Sequence, residues 1–156
     1  MSVDDVMSRM NPLVQGVLRA PGLHWVLSPF LMLVTVTGRR SGRRYTIPVG
    51  YQLRGDDVTV LVSEARKKQW WRNYTEPRPV EVFLRGRARR GEAALVLPAT
   101  GDDYRERVEY ALRRVPGLGG VFGVEFDRRA GLSAEQVEKL AEEIAVVRID
   151  LERGSR

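Results

Sequence analysis

Three strand-like runs follow one another between Phe30 and Ser63 with only short turns between them. Phe30–Thr37 (FLMLVTVT) is a continuous apolar, β-branched run, the pattern of a strand buried on both faces. Gly38–Gly42 reads as a turn, with glycines where positive φ is needed. Arg44–Leu53 then alternates, placing Tyr45, Ile47, Val49, Tyr51 and Leu53 on one face, with Pro48 marking an edge strand or a bulge. Gly55-Asp56-Asp57 is the next turn and Val58–Ser63 the third strand. Parallel neighbours need a crossover of about a dozen residues or more. Turns this short permit only antiparallel pairing.

The remaining elements extend that meander. Pro79–Leu84 and Ala88–Leu97 pair as a hairpin across Arg85-Gly86-Arg87, and Ala145–Leu151 alternates as a last strand. Ala65–Glu76 is read as a loop entering a short helix that Pro77 stops. Thr100 and Asp103 resemble a capping box opening a helix with Tyr104, Val108, Ala111 and Leu112 inward. Pro116–Phe126 is a Gly-rich apolar loop. Ser133 with Gln136 caps a further helix, whose apolar face is Val137, Leu140, Ala141 and Ile144. Val3–Arg19 has helical spacing interrupted by Pro12. Together these predict an α+β fold with about six mostly antiparallel strands in a small barrel and flanking helices. The 156 residues read as one domain: a helical segment over 1–28, a barrel core over 30–97, and helices with the last strand over 98–156.

Several chemistries drop out on residue types alone. There is no cysteine, which removes disulfides, thiolate metal sites and a cysteine nucleophile. The single histidine, His24, leaves little for a metal site, and no G-x-S-x-G elbow accompanies it. No metal site and no catalytic residue are therefore assigned. The absence of G-x-G-x-x-G argues against a Rossmann cradle. The acidic N-terminus lacks a signal-peptide pattern, and a cytoplasmic location is expected. The apolar run Leu23–Val36 is broken by His24, Ser28 and Pro29 and falls short of the about 20 residues a spanning helix needs. Residues 13–31 carry enough apolar surface beside Arg9 and Arg19 for a peripheral membrane contact.

The net charge of +6 favours an acidic partner, and the positive charge is concentrated in Thr37–Asn73. Arg39, Arg40, Arg43 and Arg44 surround Ser41-Gly42 with no acid among them. Guanidinium forks hold phosphate or carboxylate bidentately, and a Ser-Gly turn can add a hydroxyl and backbone N–H groups as an anion nest. Arg66, Lys67, Lys68 and Arg72 form a second cluster around Trp70 and Trp71. A three-strand meander that brings both clusters to one barrel end would build a cationic site with an indole wall. Neighbouring residues in a helix point about 100° apart, so one tryptophan at most faces a ligand. Asn73 shares the Trp70 face. A basic, aromatic pattern also suits single-stranded nucleic acid, but these aromatics sit together rather than spaced along a strand, and no nucleic-acid partner is expected.

The compound motif T-G-R-R-S-G-R-R-x-x-x-P, then a strand, Ser63, and K-K-Q-W-W-R-N, resembles the deazaflavin-dependent nitroreductase family of mycobacteria and other actinobacteria. The resemblance runs over about Leu31–Leu84 and implies a split β-barrel related to flavin-binding pyridoxamine-phosphate-oxidase-like folds. It implies coenzyme F420 as cofactor, with FMN as the alternative, and a hydrophobic quinone- or nitro-type acceptor. Arg39, Arg40, Ser41, Gly42 and Arg43 match the loop that takes phosphate and tail. Pro48, Val49 and Gly50 match the strand bordering the deazaflavin ring, and Ser63, Lys68, Gln69, Trp70 and Asn73 the segment closing the other side. Tyr45 stands where many members carry arginine, and Pro116–Arg129 holds Phe122 and Phe126 where nitroimidazole-reducing members carry tyrosines. A more apolar acceptor follows. The alternatives are a non-catalytic carrier of deazaflavin or a lipid-like ligand, and a barrel that uses FMN or haem. A homodimer is also compatible with the resemblance.

Overall fold

The computed structural model describes residues 31–153. The helical segment read over 1–28, His24 and all of the 13–31 stretch except Leu31 lie outside the described residues.

Seven strands form one antiparallel sheet in the order β2-β1-β5-β6-β7-β4-β3. They are β1 (Leu31–Thr37), β2 (Arg44–Gly50), β3 (Gln52–Arg54), β4 (Asp57–Val62), β5 (Arg78–Leu84), β6 (Arg87–Val96) and β7 (Ala145–Leu151). The two edges, β2 and β3, are consecutive in the chain and separated by Tyr51 alone. A flat sheet of seven strands is about 29 Å across. Gly50 and Gln52 are at most about 7.6 Å apart. The sheet must therefore curl until its edges meet, and the result is the α+β split barrel that the residues and their resemblance predict. The count is seven rather than six because the alternating run Arg44–Leu53 breaks at Tyr51, its first half pairing with β1 and its second with β4. Pro48 lies in the edge strand, where its missing N–H leaves no gap in a two-sided ladder.

Alternation divides the apolar residues into two cores. Met32, Val34, Val36, Val58, Val60, Val82, Val147 and Ile149 fill the barrel interior, with Ile47, Val49 and Leu53 packed against them. Tyr51 is buried there, and its hydroxyl accepts from Arg85 Nε at 3.2 Å. Tyr45, expected on the same face, is 41 % exposed at the strand's open end. The opposite face of β6, β7 and β4 carries Val96, Val146 and Leu61 under the helices α1 (Asp103–Arg114) and α3 (Ala134–Ala141). Tyr104 locks α1 to the sheet by donating to Ile144 O at 2.8 Å.

The cap of α3 is as read: Gln136 N donates to Ser133 Oγ and Ser133 N to Gln136 Oε1. The cap of α1 is not. Thr100 closes a 3₁₀ turn over Pro98–Thr100 by donating to Leu97 O, and Asp102 stands at the N-cap without a side-chain bond. Pro98 starts the tighter turn early, so the helix begins beyond the reach of Thr100. The segment read as the loop Pro116–Phe126 contains a short helix, α2 (Leu118–Val121). Among the described residues no helix is long and apolar enough to cross a membrane.

Candidate functional site

Antiparallel order places the end of β1, the start of β2, the end of β4 and the start of β5 at one end of the barrel. The β1–β2 turn and the β4–β5 connection therefore meet there. The connection folds as two 3₁₀ turns, Ala65–Lys67 and Trp70–Tyr74. Both basic clusters are brought together, as the meander requires.

Asn73 is the clasp between them. It is buried, its Oδ1 accepts from Arg39 N at 2.8 Å, and its Nδ2 donates to Trp70 O at 2.9 Å. The Tyr45 hydroxyl lies beside this amide. Burial raises the Tyr45 pKa above its usual value, and the Asn73 contact partly offsets the rise. Arg39 Nη1 adds a second tie, donating to Arg72 O at 3.0 Å. The amide read as a ligand contact is thus engaged with the protein's own backbone.

The β1–β2 turn also uses its polar groups internally. Gly42, at φ 68°, donates its N–H to Gly38 O at 2.9 Å, Gly38 N donates to Arg43 O at 2.8 Å, and Ser41 Oγ accepts from Arg43 N at 3.2 Å. The Gly42 N–H expected in an anion nest is spent on shaping the turn, whereas Ser41 Oγ serves the turn as an acceptor and keeps its O–H to donate. What the turn presents outward is guanidinium. Arg44 is drawn away into an ion pair with Glu81 at 2.7 Å on the outer sheet face. Among the described residues none of Arg39, Arg40, Arg43, Arg66, Lys68 and Arg72 has an ion-pair partner, whereas Lys67 reaches Glu64 at 3.8 Å.

The tryptophans part as adjacent helical residues must. Trp70 turns into the barrel core, edge-on to Tyr74 with ring centroids 6.2 Å apart. Trp71 stays half-buried, its Nε1 donating to Ala65 O at 2.8 Å, and carries the Arg72 guanidinium 5.3 Å over its ring. The indole nearer the surface is therefore Trp71. Arg72 Nε is buried without a hydrogen-bond partner, a state that costs about 1–3 kcal/mol or more for a charged group. Sequence reasoning placed Arg72 in the cluster but could not show that one of its nitrogens is buried.

The other predicted residues spread along the barrel. Ser63 follows β4 at the same end, Lys68 donates its N–H to Ala65 O at 3.2 Å, and Gln69 is exposed at the N-cap of the Trp70–Tyr74 turn. Pro48, Val49 and Gly50 lie toward the far end of β2, paired with Leu33, Met32 and Leu31. Val49 is five residues from Arg44, about 17 Å along an extended strand. A ligand touching both must be long. Phe122, Val124 and Phe126 pack against the helical cluster outside the barrel, and Phe122 and Val124, with Leu140, Gln136, Lys139 and Glu143, line a groove of about 260 Å³.

Tyr74 sits beneath this end, its pKa pushed up from 10.0 to about 12 by burial, with nearby Tyr45 adding to the rise and Arg78 opposing it. Folding thus favours the neutral phenol. Stability contributed by Tyr74 is full below pH 10 and is lost as pH rises from 10 to about 12, where the unfolded chain ionises first. Urea unfolding across that interval is expected to show a falling free energy for the native protein and a shallower fall for Tyr74→Phe. Identical slopes would place the alkaline sensitivity elsewhere.

Residues 13–118, well over half of the chain, match the family described as F420H(2)-dependent quinone reductase. The chain belongs to that family. No curated protein sequence matches it closely enough to count as a relative. Among solved structures, one described as a domain-swapped dimer is 18% identical, covers 94% of this chain and 96% of its own, and has a TM-score of 0.55. HutZ, the heme storage protein of Vibrio cholerae, is 14% identical over 81% of this chain and 84% of its own, with a TM-score of 0.49. A pyridoxamine 5'-phosphate oxidase-related, FMN-binding protein from Nostoc punctiforme is 12% identical over 96% of this chain and 82% of its own, with a TM-score of 0.45. At these identities the first likeness speaks to the fold alone. The F420H(2)-dependent family match covers both basic clusters and their Asn73 clasp.

Proposed function

We propose that this member of the family binds coenzyme F420 at the basic end of the barrel and reduces a hydrophobic quinone- or nitro-type acceptor. The observation that carries the reading is the gathering of Arg39, Arg40, Arg43, Arg66, Lys68 and Arg72, which have no carboxylate partner among the described residues, with the Arg72 Nε buried and lacking an acceptor. Such a set fits an elongated ligand with phosphate and carboxylate groups.

Reduced F420 supplies a hydride from its deazaflavin ring. The chain's part is to bind and orient. Arg39, Arg40 and Arg43 hold the anionic tail, with Lys68 across the site from them. Ser41 and Gly42 act by shaping the turn that aims those guanidinium groups. Pro48, Val49 and Gly50 border the ring further along β2, and Ser63 and Gln69 close the site at the basic end. Trp70 and Asn73 support the site from below, fixing the Trp70–Tyr74 turn to the core and to the β1–β2 turn. Assembly as a homodimer, readable by light scattering, is part of the same reading.

Titration with F420 and with FMN, followed by fluorescence, tests the cofactor. Binding of F420 tighter than about 100 μM is expected, and weaker binding sinks the reading. Anaerobic mixing of reduced F420 with menadione then separates a reductase, which regenerates oxidised cofactor, from a carrier, which does not. Arg40 and Arg43 are exposed, and their side chains make no ion pair among the described residues. Replacing both by alanine is expected to weaken F420 binding by about tenfold or more and to flatten its salt dependence, with an unchanged melting temperature. Unchanged affinity would mean that these two side chains are merely solvated.

A further inference from the structure

We infer that Arg72 is itself a cofactor-holding residue, whose Nε–H meets an anionic oxygen, phosphate or carboxylate, of the bound deazaflavin. The inference rests on the F420 reading above and assigns within that site a residue outside the set matched by resemblance. Three observations support it. Among the described residues Arg72 Nε is the one buried side-chain polar atom without a hydrogen-bond partner. Buried donors are almost always satisfied, so an orphan beside a binding site points to an acceptor that arrives with the ligand. The guanidinium is also held in place: it lies 5.3 Å over the Trp71 ring, and that indole is fixed by its own bond to Ala65 O at 2.8 Å. A planar fork stacked on a pinned ring is oriented before any ligand binds. Finally, the Arg39 guanidinium is tied to the Arg72 carbonyl at 3.0 Å, which brings a second positive side chain to this turn, and among the described residues neither arginine has a carboxylate partner. An anionic oxygen is the acceptor that the orphaned Nε–H lacks.

Structural roles in this turn fall to its neighbours. Trp70, Asn73 and Tyr74 are buried and make the contacts to the core, so the Arg72 head group is free to serve a ligand. The two roles differ in sign on stability. Removing a structural bond lowers the melting temperature, whereas removing an unsatisfied buried donor leaves it unchanged or raises it.

Arg72→Lys and Arg72→Met separate these. Both variants are expected to melt at or above the native protein while binding F420 at least about tenfold more weakly. A deazaflavin riboside without phosphate or glutamates should bind all three proteins alike. A form with the phosphate but no glutamates locates the oxygen: lost affinity there assigns phosphate, and loss confined to the full tail assigns carboxylate. The inference is overturned by a melting temperature several degrees lower in both variants, by unchanged F420 affinity, or by equal weakening toward the riboside. If the native protein binds no deazaflavin, the F420 reading fails and inorganic phosphate still reads the subsite. Phosphate raising the native melting temperature above a chloride control of matched ionic strength, but not that of Arg72→Met, supports an oxyanion site. Equal effects on both proteins overturn it.

Discussion

Asn73→Ala is expected to lower stability by about 2–4 kcal/mol, because it removes a buried amide that makes several hydrogen bonds at once. The Arg39 N–H loses its acceptor and the Trp70 carbonyl its donor, and the Tyr45 hydroxyl loses the amide beside it. For a chain of this size that corresponds to a melting temperature lower by roughly 5–12 °C. Binding should fall as well, since the β1–β2 turn would no longer be fixed to the Trp70–Tyr74 turn. Asn73→Asp distinguishes the two effects. It keeps an acceptor for Arg39 N–H, so thermal melting should suffer less. It also sets a carboxylate among unpaired cations, so F420 binding should suffer more, by repulsion and by neutralising the attracting charge. A melting temperature for Asn73→Ala within about 2 °C of native would show that the amide is not the clasp that its bonds imply.

Gly91→Ala is expected to be the most damaging single methyl group in the barrel. Gly91 lies in β6 between Val80 of β5 and Leu151 of β7. A Cβ there would stand 2.5 Å from the Asp150 carbonyl oxygen and 3.1 Å from Asp150 C and Leu151 Cα. All three are backbone atoms of a paired strand, so no rotamer change makes room. The expected loss is about 3 kcal/mol or more, at the upper end for overpacked interiors. Strand propensity alone gives the opposite sign, since glycine within a strand is weaker than alanine by about 0.5–1 kcal/mol. Urea unfolding of Gly91→Ala therefore decides between a local and a tertiary origin for this glycine. A stabilised variant would mean that β6 and β7 stand further apart here than the structure places them.

Legibility from sequence tracked how local each interaction is. The Ser133 cap and the alternation of Val147, Ile149 and Leu151 depend on residues a few positions apart, and both were readable. Thr100 was misread because Pro98 diverts the chain into a 3₁₀ turn, a competition between two local geometries of similar cost. The extra strand at Tyr51 was not readable, because nothing in an unbroken alternation records that its halves pair with different neighbours. Within the site, the gathering of arginine, lysine and tryptophan was visible. Which groups stay available was not: the Gly42 N–H goes to the turn, Asn73 to the backbone and Trp70 to the core.

The sequence by itself determined the antiparallel meander, because its turns are too short for any crossover. It also determined the excess of positive charge in Thr37–Asn73, because charge is carried by residue identity alone. The tertiary structure decided that the two basic clusters share one end of a closed sheet, since that depends on β4 and β5 entering and leaving at the end where β1 turns into β2. It decided too, among the described residues, which cations remain unpaired and that Arg72 Nε is buried without an acceptor. Burial and pairing are properties of surfaces that meet only after the chain has closed on itself, and a linear pattern has no record of them.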